Sequence, residues 1–148
     1  MKFERKIRRE QILDCVEEVS SRHFSDSEFG AQELASALAL SLRHLQRLMK
    51  EEQTLSPNQY LREYRLQKAF KLCLGHRGIT DIALSCGFSS SAYFTQCFKA
   101  RYGYSPSQLR QCYRKHGRSK TQFFKALKKL KSEHQGSQAP NDQSRPAH

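Results

Sequence analysis

The sequence predicts an all-α protein in which one helical unit occurs twice, and three observations carry that expectation. Apolar residues recur at helical spacing along most of the chain. Strand-like alternation is nowhere sustained. The four prolines, Pro57, Pro106, Pro140 and Pro146, fall at two helix starts and in the C-terminal tail, where a missing N–H breaks no helical ladder.

From Lys6 to Ser20 the residues Ile12, Leu13, Val16 and Val19 form an apolar stripe with Arg8, Arg9, Glu10, Glu17 and Glu18 off it, which predicts a first amphipathic helix. The turn-forming run Ser25, Asp26, Ser27 ends that helix, and a new pattern begins through Leu34, Ala35 and Leu38.

Sliding the chain against itself exposes a duplication at an offset of about 48 residues. Leu34, Ala35, Leu38, Ala39, Leu40 and Ser41 align with Ile82, Ala83, Cys86, Gly87, Phe88 and Ser89. After one inserted residue, Leu45, Arg47, Leu48, Met49, Lys50, Thr54, Ser56, Pro57 and Gln59 align with Phe94, Gln96, Cys97, Phe98, Lys99, Gly103, Ser105, Pro106 and Gln108. Two copies are too few for a solenoid. Each copy reads as a short helix, a tight turn and a second helix, the outline of a helix-turn-helix. Gly87 suits the turn because it accepts positive φ; Ala39 holds the equivalent place at some conformational cost.

Each copy ends in Ser-Pro-x-Gln. Ser56 and Ser105 fit the N-cap, Pro57 and Pro106 the first helical position, and Gln59 and Gln108 the third, where the amide closes a capping box. The helix opened by Ser56 carries Tyr60, Leu61, Tyr64, Leu66, Ala69, Phe70, Leu72 and Cys73 and stops near Gly75 and Gly78. At a helical rise of 1.5 Å, its roughly 18 residues extend about 27 Å. That is close to the ~34 Å between successive major-groove faces of B-DNA.

These readings give a double unit over residues 5–113, with a first unit at about 30–54, a linker helix at 56–75 and a second unit at 78–104. Residues 114–148 form a basic tail. Within it Lys115, Arg118, Lys120, Lys125, Lys128, Lys129 and Lys131 surround Phe123, Phe124, Leu127 and Leu130, predicting one more basic amphipathic helix. From Gln135 to His148 the Gln, Ser, Pro, Asn and Ala composition has no periodicity, and disorder is expected.

The chain has 148 residues, which allows one ordinary domain or two very small ones. Its net charge of +12 and pI near 9.8 call for a polyanionic partner. No apolar run approaches the ~20 residues that span a bilayer, and the basic start, Met1 to Arg9, leads into the mixed segment Glu10 to Glu18 rather than an apolar one. A cytoplasmic protein is expected. The five cysteines, Cys15, Cys73, Cys86, Cys97 and Cys112, lack any C-x-x-C pair and mostly fall at apolar positions, as reduced core residues do. The six histidines show no zinc spacing, so no metal or other cofactor is expected. No nucleophile with a paired base and no Gly-rich phosphate loop can be assembled, so no enzyme is expected.

A helix-turn-helix with this charge points to double-stranded DNA, read by the second helix of each unit in the major groove. In the first copy Leu45, Leu48 and Met49 form the inward stripe, leaving Arg43, Gln46 and Arg47 outward together. Arginine reaches guanine O6 and N7 bidentately and glutamine pairs with adenine, so this face has the donors for direct readout. In the second copy Phe94, Cys97 and Phe98 turn inward and Ser91, Ala92, Thr95 and Gln96 outward. That surface is smaller and uncharged, with Ala92 and Thr95 suited to a thymine methyl and Gln96 to adenine. Lys50, Lys99, Arg101 and His44, with the helix starts at Ser41 and Ser90, are assigned to phosphates.

The stretch from about Phe29 to Arg110 resembles the DNA-binding domain of the AraC/XylS transcriptional regulators. The resemblance rests on Ser56-Pro57-x-x-Tyr60-Leu61-x-x-x-Arg65-Leu66-x-x-Ala69, Ile79-x-x-Ile82-Ala83-x-x-x-Gly87-Phe88, Tyr93-Phe94-x-x-x-Phe98-Lys99, Gly103-x-Ser105-Pro106 and His44-Leu45-Gln46-Arg47-Leu48. It implies a bilobed domain of seven helices whose lobes enter consecutive major-groove segments on one face of the DNA, usually near a promoter to activate transcription. RNA polymerase is then a candidate partner. The family positions that touch bases fall on Arg43, Gln46, Arg47, Ser91, Ala92, Thr95 and Gln96. Against the family pattern, Gln96 stands for a common arginine, Ala39 and Thr54 for turn glycines, and Leu109 for a frequent aromatic. The chain has no room for the separate ligand-binding domain of many members. It therefore looks like a stand-alone member, or the C-terminal piece of a longer regulator, and a small-molecule effector is not expected within it.

A competing reading assigns the basic segment 119–131 to a membrane surface or a partner protein. RNA binding shares the charge but lacks aromatic platforms on a sheet. The double-unit reading accounts for more of the chain than either, and no membrane partner is expected.

Overall fold

Among the described residues eight helices follow one another: α1 (Lys2–His23), α2 (Ala31–Ala37), α3 (Leu42–Glu51), α4 (Pro57–Cys73), α5 (Ile79–Ser85), α6 (Ser91–Tyr102), α7 (Pro106–His116) and α8 (Lys120–Glu133). The computed structural model describes residues 2–52 and 54–133, with side chains from Glu10 onward, and among these no residue is in a strand. The expectation of disorder over 135–148 lies outside the described residues. The first helix extends beyond both ends of the expected Lys6–Ser20 span, and α4 ends two residues before Gly75.

The chain divides into two compact units between Arg65 and Leu66, inside α4. In the first, Val16 of α1, Phe29, Leu34 and Ala35 of α2, Leu45 and Met49 of α3, and Leu61 of α4 form one buried cluster, with Ile12, Val19, Leu38, Leu40, Leu42 and Tyr60 packed against it. Every stripe read as apolar in the sequence contributes. At roughly 1.5–3 kcal/mol per fully buried large side chain, this cluster is what holds a helix as short as α2 in place, since seven residues are not stable alone.

The second unit buries Ile82, Ala83, Cys86, Phe88, Phe94, Cys97, Phe98, Tyr104, Leu109, Cys112 and Leu127. Its centre is aromatic: Phe88 and Phe94 lie 4.9 Å apart by ring centroids, Phe94 and Phe98 5.6 Å, and Phe98 and Tyr102 4.7 Å, all tilted or edge-on, the geometry favoured by ring quadrupoles. The basic segment after Gly117 forms α8, which packs against α7 through buried Leu127 and a T-shaped contact of Phe123 with Tyr113.

Both Ser-Pro-x-Gln motifs act as capping boxes. Gln59 N–H donates to Ser56 Oγ at 3.3 Å while Ser56 N–H donates to Gln59 Oε1 at 3.1 Å. The Ser105 and Gln108 pair repeats this at 3.1 and 2.8 Å, with Pro106 in the first turn.

Candidate nucleic-acid interface

The two helix-turn-helix turns are built alike. After α2, Leu40 N–H donates to the Ala35 carbonyl at 2.9 Å and Ala39 N–H to that of Ser36 at 3.0 Å. After α5, Phe88 N–H donates to Ala83 at 3.0 Å and Gly87 N–H to Leu84 at 3.2 Å. This is the Schellman arrangement, which requires a left-handed residue in the middle. Gly87 supplies φ 86° and Ala39 φ 56°.

Each turn delivers the chain to a serine N-cap. Ser41 Oγ accepts the His44 N–H at 3.1 Å, and Ser90 Oγ accepts the Tyr93 N–H at 3.1 Å. The inserted residue of the second copy is thereby located. Ser41 corresponds in role to Ser90, and Ser89 is the extra residue of the turn. Because the insertion lies before the cap, the phase of the following helix is preserved.

In α3, Leu45 and Met49 are buried, while Arg43, Gln46, Arg47 and Lys50 are exposed. Their spacing of i, i+3, i+4 and i+7 puts those four on one stripe, with three cations and a carboxamide in it and no carboxylate. In α6, Phe94, Cys97 and Phe98 are buried, and the corresponding stripe is Ala92, Thr95, Gln96 and Lys99. Ala92 and Gln96 are exposed, whereas Thr95 and Lys99 are half-buried. The second stripe has one cation where the first has three.

Not every expected site residue joins these stripes. Ser91 is half-buried at the start of α6, and Thr95 Oγ1 donates to the Ser91 carbonyl at 2.9 Å, so its methyl rather than its hydroxyl proton is left to offer outward. His44 is half-buried beside the α3 stripe. Arg101, nine residues beyond Ala92, falls about half a turn away from the α6 stripe by helical phase, and its guanidinium lies 5.0 Å from the Tyr102 ring centroid. Cys15 is exposed, the exception among five free thiols of which four are buried.

Two arginines with no signal in the apolar periodicity hold the frame. Arg65, only 2% exposed, donates from Nε to the Phe24 carbonyl at 2.9 Å and from Nη2 to those of Asp26 at 2.9 Å and Phe29 at 2.7 Å. It thus fixes the loop that leads from α1 into α2. In the second unit Arg110 Nε donates to the Cys73 carbonyl at 3.0 Å, at the end of α4. A planar guanidinium with several donors suits this gathering of carbonyls; an ammonium does not.

Residues 34–112, more than half of the chain, match the family described as a helix-turn-helix domain. Among solved structures, a transcriptional regulator of AraC-type DNA-binding proteins from Chromobacterium violaceum superimposes with a TM-score of 0.55 at 27% identity, over 62% of this chain and 86% of that one. The chain belongs to the AraC-type helix-turn-helix family.

A further likeness is to the DNA-binding transcriptional dual regulator of Escherichia coli K-12, with a TM-score of 0.63 and 31% identity over 68% of this chain and 90% of that one. Among curated relatives, the HTH-type transcriptional activator RhaS of Escherichia coli O9:H4 (strain HS) is 42% identical over 91 residues, covering 60% of this chain and 32% of RhaS. RhaS of Klebsiella pneumoniae (strain 342) is 39% identical over 103 residues, covering 68% of this chain and 35% of that protein. The chain therefore matches about a third of the length of these relatives. Membership identifies residues 34–112 as a helix-turn-helix domain of the kind that AraC-type transcriptional regulators carry. The family match stops at Cys112, before α8. Among the described residues no helix is long and apolar enough to cross a membrane.

Proposed function

We propose that this chain recognises a specific duplex sequence by inserting α3 and α6 into successive major-groove segments, and that it activates transcription from a nearby promoter. The carrying observation is the repeated stripe: Arg43, Gln46, Arg47 and Lys50 on α3 and Ala92, Thr95, Gln96 and Lys99 on α6 occupy the same phase after the same capped turn. Arg43, Gln46 and Arg47 read bases in the first groove segment. Ala92 and Thr95 meet thymine methyls, and Gln96 an adenine, in the second, with Ser91 at its edge.

Phosphates are held by Lys50, Lys99 and the helix starts at Ser41 and Ser90. Of the orphan N–H groups there, those of His44 and Tyr93 are already taken by the serine caps. His44 serves a phosphate at the margin of the first stripe. Activation extends to this chain what the names of its RhaS relatives say of them; RNA polymerase as partner and the cytoplasm as the site of action are part of the same proposal.

Affinity selection on genomic fragments followed by footprinting tests the proposal. Two protected patches about 10 base pairs apart on one duplex face are expected. A single short patch, or protection without sequence preference, would overturn it.

A further inference from the structure

The second recognition helix is poor in charge, and the structure places a lysine-rich helix at its end. Gly103 caps α6 in the left-handed conformation at φ 86°. A Cβ built on Gly103 would meet Lys131 Cγ at 2.6 Å, Lys131 Cβ at 3.3 Å and the Lys131 backbone at 3.4 Å, so the C-terminal turn of α8 rests directly on this cap. Ala92, Gln96 and Lys99 stand at i, i+4 and i+7, a single stripe along α6, and Gly103 follows the last helical turn. Lys131 therefore sits at the C-terminal end of the recognition helix, one turn beyond Lys99.

On α8, Leu127 is buried and Phe123, Ala126 and Leu130 are half-buried toward the rest of the unit. Lys120, Phe124, Lys128 and Lys131 lie along the edge of that buried face, next to Leu127 by helical phase, and all four are exposed, Phe124 by 63%. The one carboxylate of α8, Glu133, lies away from that exposed edge and lines the groove against α7.

We infer that α8 is a phosphate-binding arm of the second unit: Lys120, Lys128 and Lys131 hold the DNA backbone flanking the groove segment of α6, supplying the cations that the α6 stripe itself lacks. The arm rests on the reading of α6 as a recognition helix and deepens it. A polyanionic duplex is the occupant because the exposed edge of α8 is cationic and ends beside the C-terminal cap of α6. Phosphate contacts of this kind add affinity without reading sequence.

The test uses the full chain and its Lys120→Gln, Lys128→Gln, Lys131→Gln triple variant. These exposed positions are replaced without altering the buried face, and circular dichroism checks the fold. Affinity is measured against the selected duplex and a scrambled duplex across a salt series. The slope of log K against log salt should flatten by about 0.9 for each phosphate that is no longer neutralised, hence by about 2 to 3 in all, with the base preference unchanged. An unchanged slope, with selective binding by the wild-type chain intact, would overturn the arm alone. Loss of binding to phosphatidylserine-containing vesicles, again with an unchanged DNA slope, would overturn it in favour of a membrane occupant. A wild-type chain without any selective duplex binding would remove the underlying reading and the arm together.

Discussion

Ala39 adopts at φ 56° the turn position that Gly87 adopts at φ 86° in the other unit, and both hold the same pair of Schellman hydrogen bonds. An L residue with a Cβ in this region is strained by about 1–2 kcal/mol, whereas glycine adds about 0.4–1 kcal/mol of unfolded-chain entropy. The strain is the larger. Ala39→Gly should therefore stabilise the first unit by about 0.5–1 kcal/mol, and Gly87→Ala should destabilise the second by about 1 kcal/mol. Urea unfolding of both variants checks this, and a loss of stability in Ala39→Gly would contradict the strain argument.

Arg65 supports the loop before α2 from a position 2% exposed, and its three carbonyl partners belong to Phe24, Asp26 and Phe29. Hydrogen bonds from a charged donor contribute about 1.5–3 kcal/mol each, and carbonyls left dry and unpaired carry a further penalty. Removal should exceed an ordinary surface change severalfold. Arg65→Ala is expected to cost about 3 kcal/mol or more, and Arg65→Lys to recover only part, because an ammonium cannot span the three acceptors. Equal stability of the lysine variant and the wild type would refute a role for the planar fork.

Burial pushes the Cys73 thiol up from 9.0 to about 11, with Arg110 opposing and Cys86 adding to the rise. Cys86 and Cys112 are raised by burial as well. A folded-state value above the unfolded one means that the native chain keeps a proton the unfolded chain has released. This contribution to stability is complete below about pH 9 and declines as pH rises toward about 11. Tyr60 and Tyr104, raised chiefly by burial, act in the same direction at the alkaline end. Denaturant midpoints should fall through this window. Near neutral pH a thiol reagent should modify exposed Cys15 quickly, and the four buried cysteines only as the core opens. Rapid modification of several thiols in the folded chain would contradict the burial.

Much of this architecture is legible in the sequence because it depends on local chemistry. Pro57 and Pro106 beside Ser56 and Ser105 mark helix starts without tertiary information, since the cap bonds stay within three residues. The pairing of Ala39 with Gly87 is visible from the duplication alone. What stays hidden is contact at long sequence separation. Arg65 reaches carbonyls 36 to 41 residues away, and Lys131 rests on Gly103. Neither contact leaves a period in the chain. The side-chain state of Thr95 is also unreadable, because an outward helical phase does not reveal that its hydroxyl donates back to Ser91.

Arg47 and Lys99 separate the two kinds of contact that the proposed interface needs. Arg47 is exposed at the centre of the α3 stripe, between Arg43 and Lys50 and beside Gln46, where a bidentate donor faces outward. Lys99 is half-buried toward the end of the α6 stripe, with its cation beyond the residues assigned to bases. Arg47→Ala should weaken binding to the selected duplex by about 1–3 kcal/mol and relax preference at one base pair, while binding to random duplex changes far less. Lys99→Ala should weaken specific and random duplexes alike and flatten the salt slope by about one. Competition binding with single-base-pair variants of the site, repeated across a salt series, distinguishes them. If Arg47→Ala lowered affinity for specific and random duplexes equally, its contact would be with phosphate, and the base-reading assignment of the α3 stripe would fall with it.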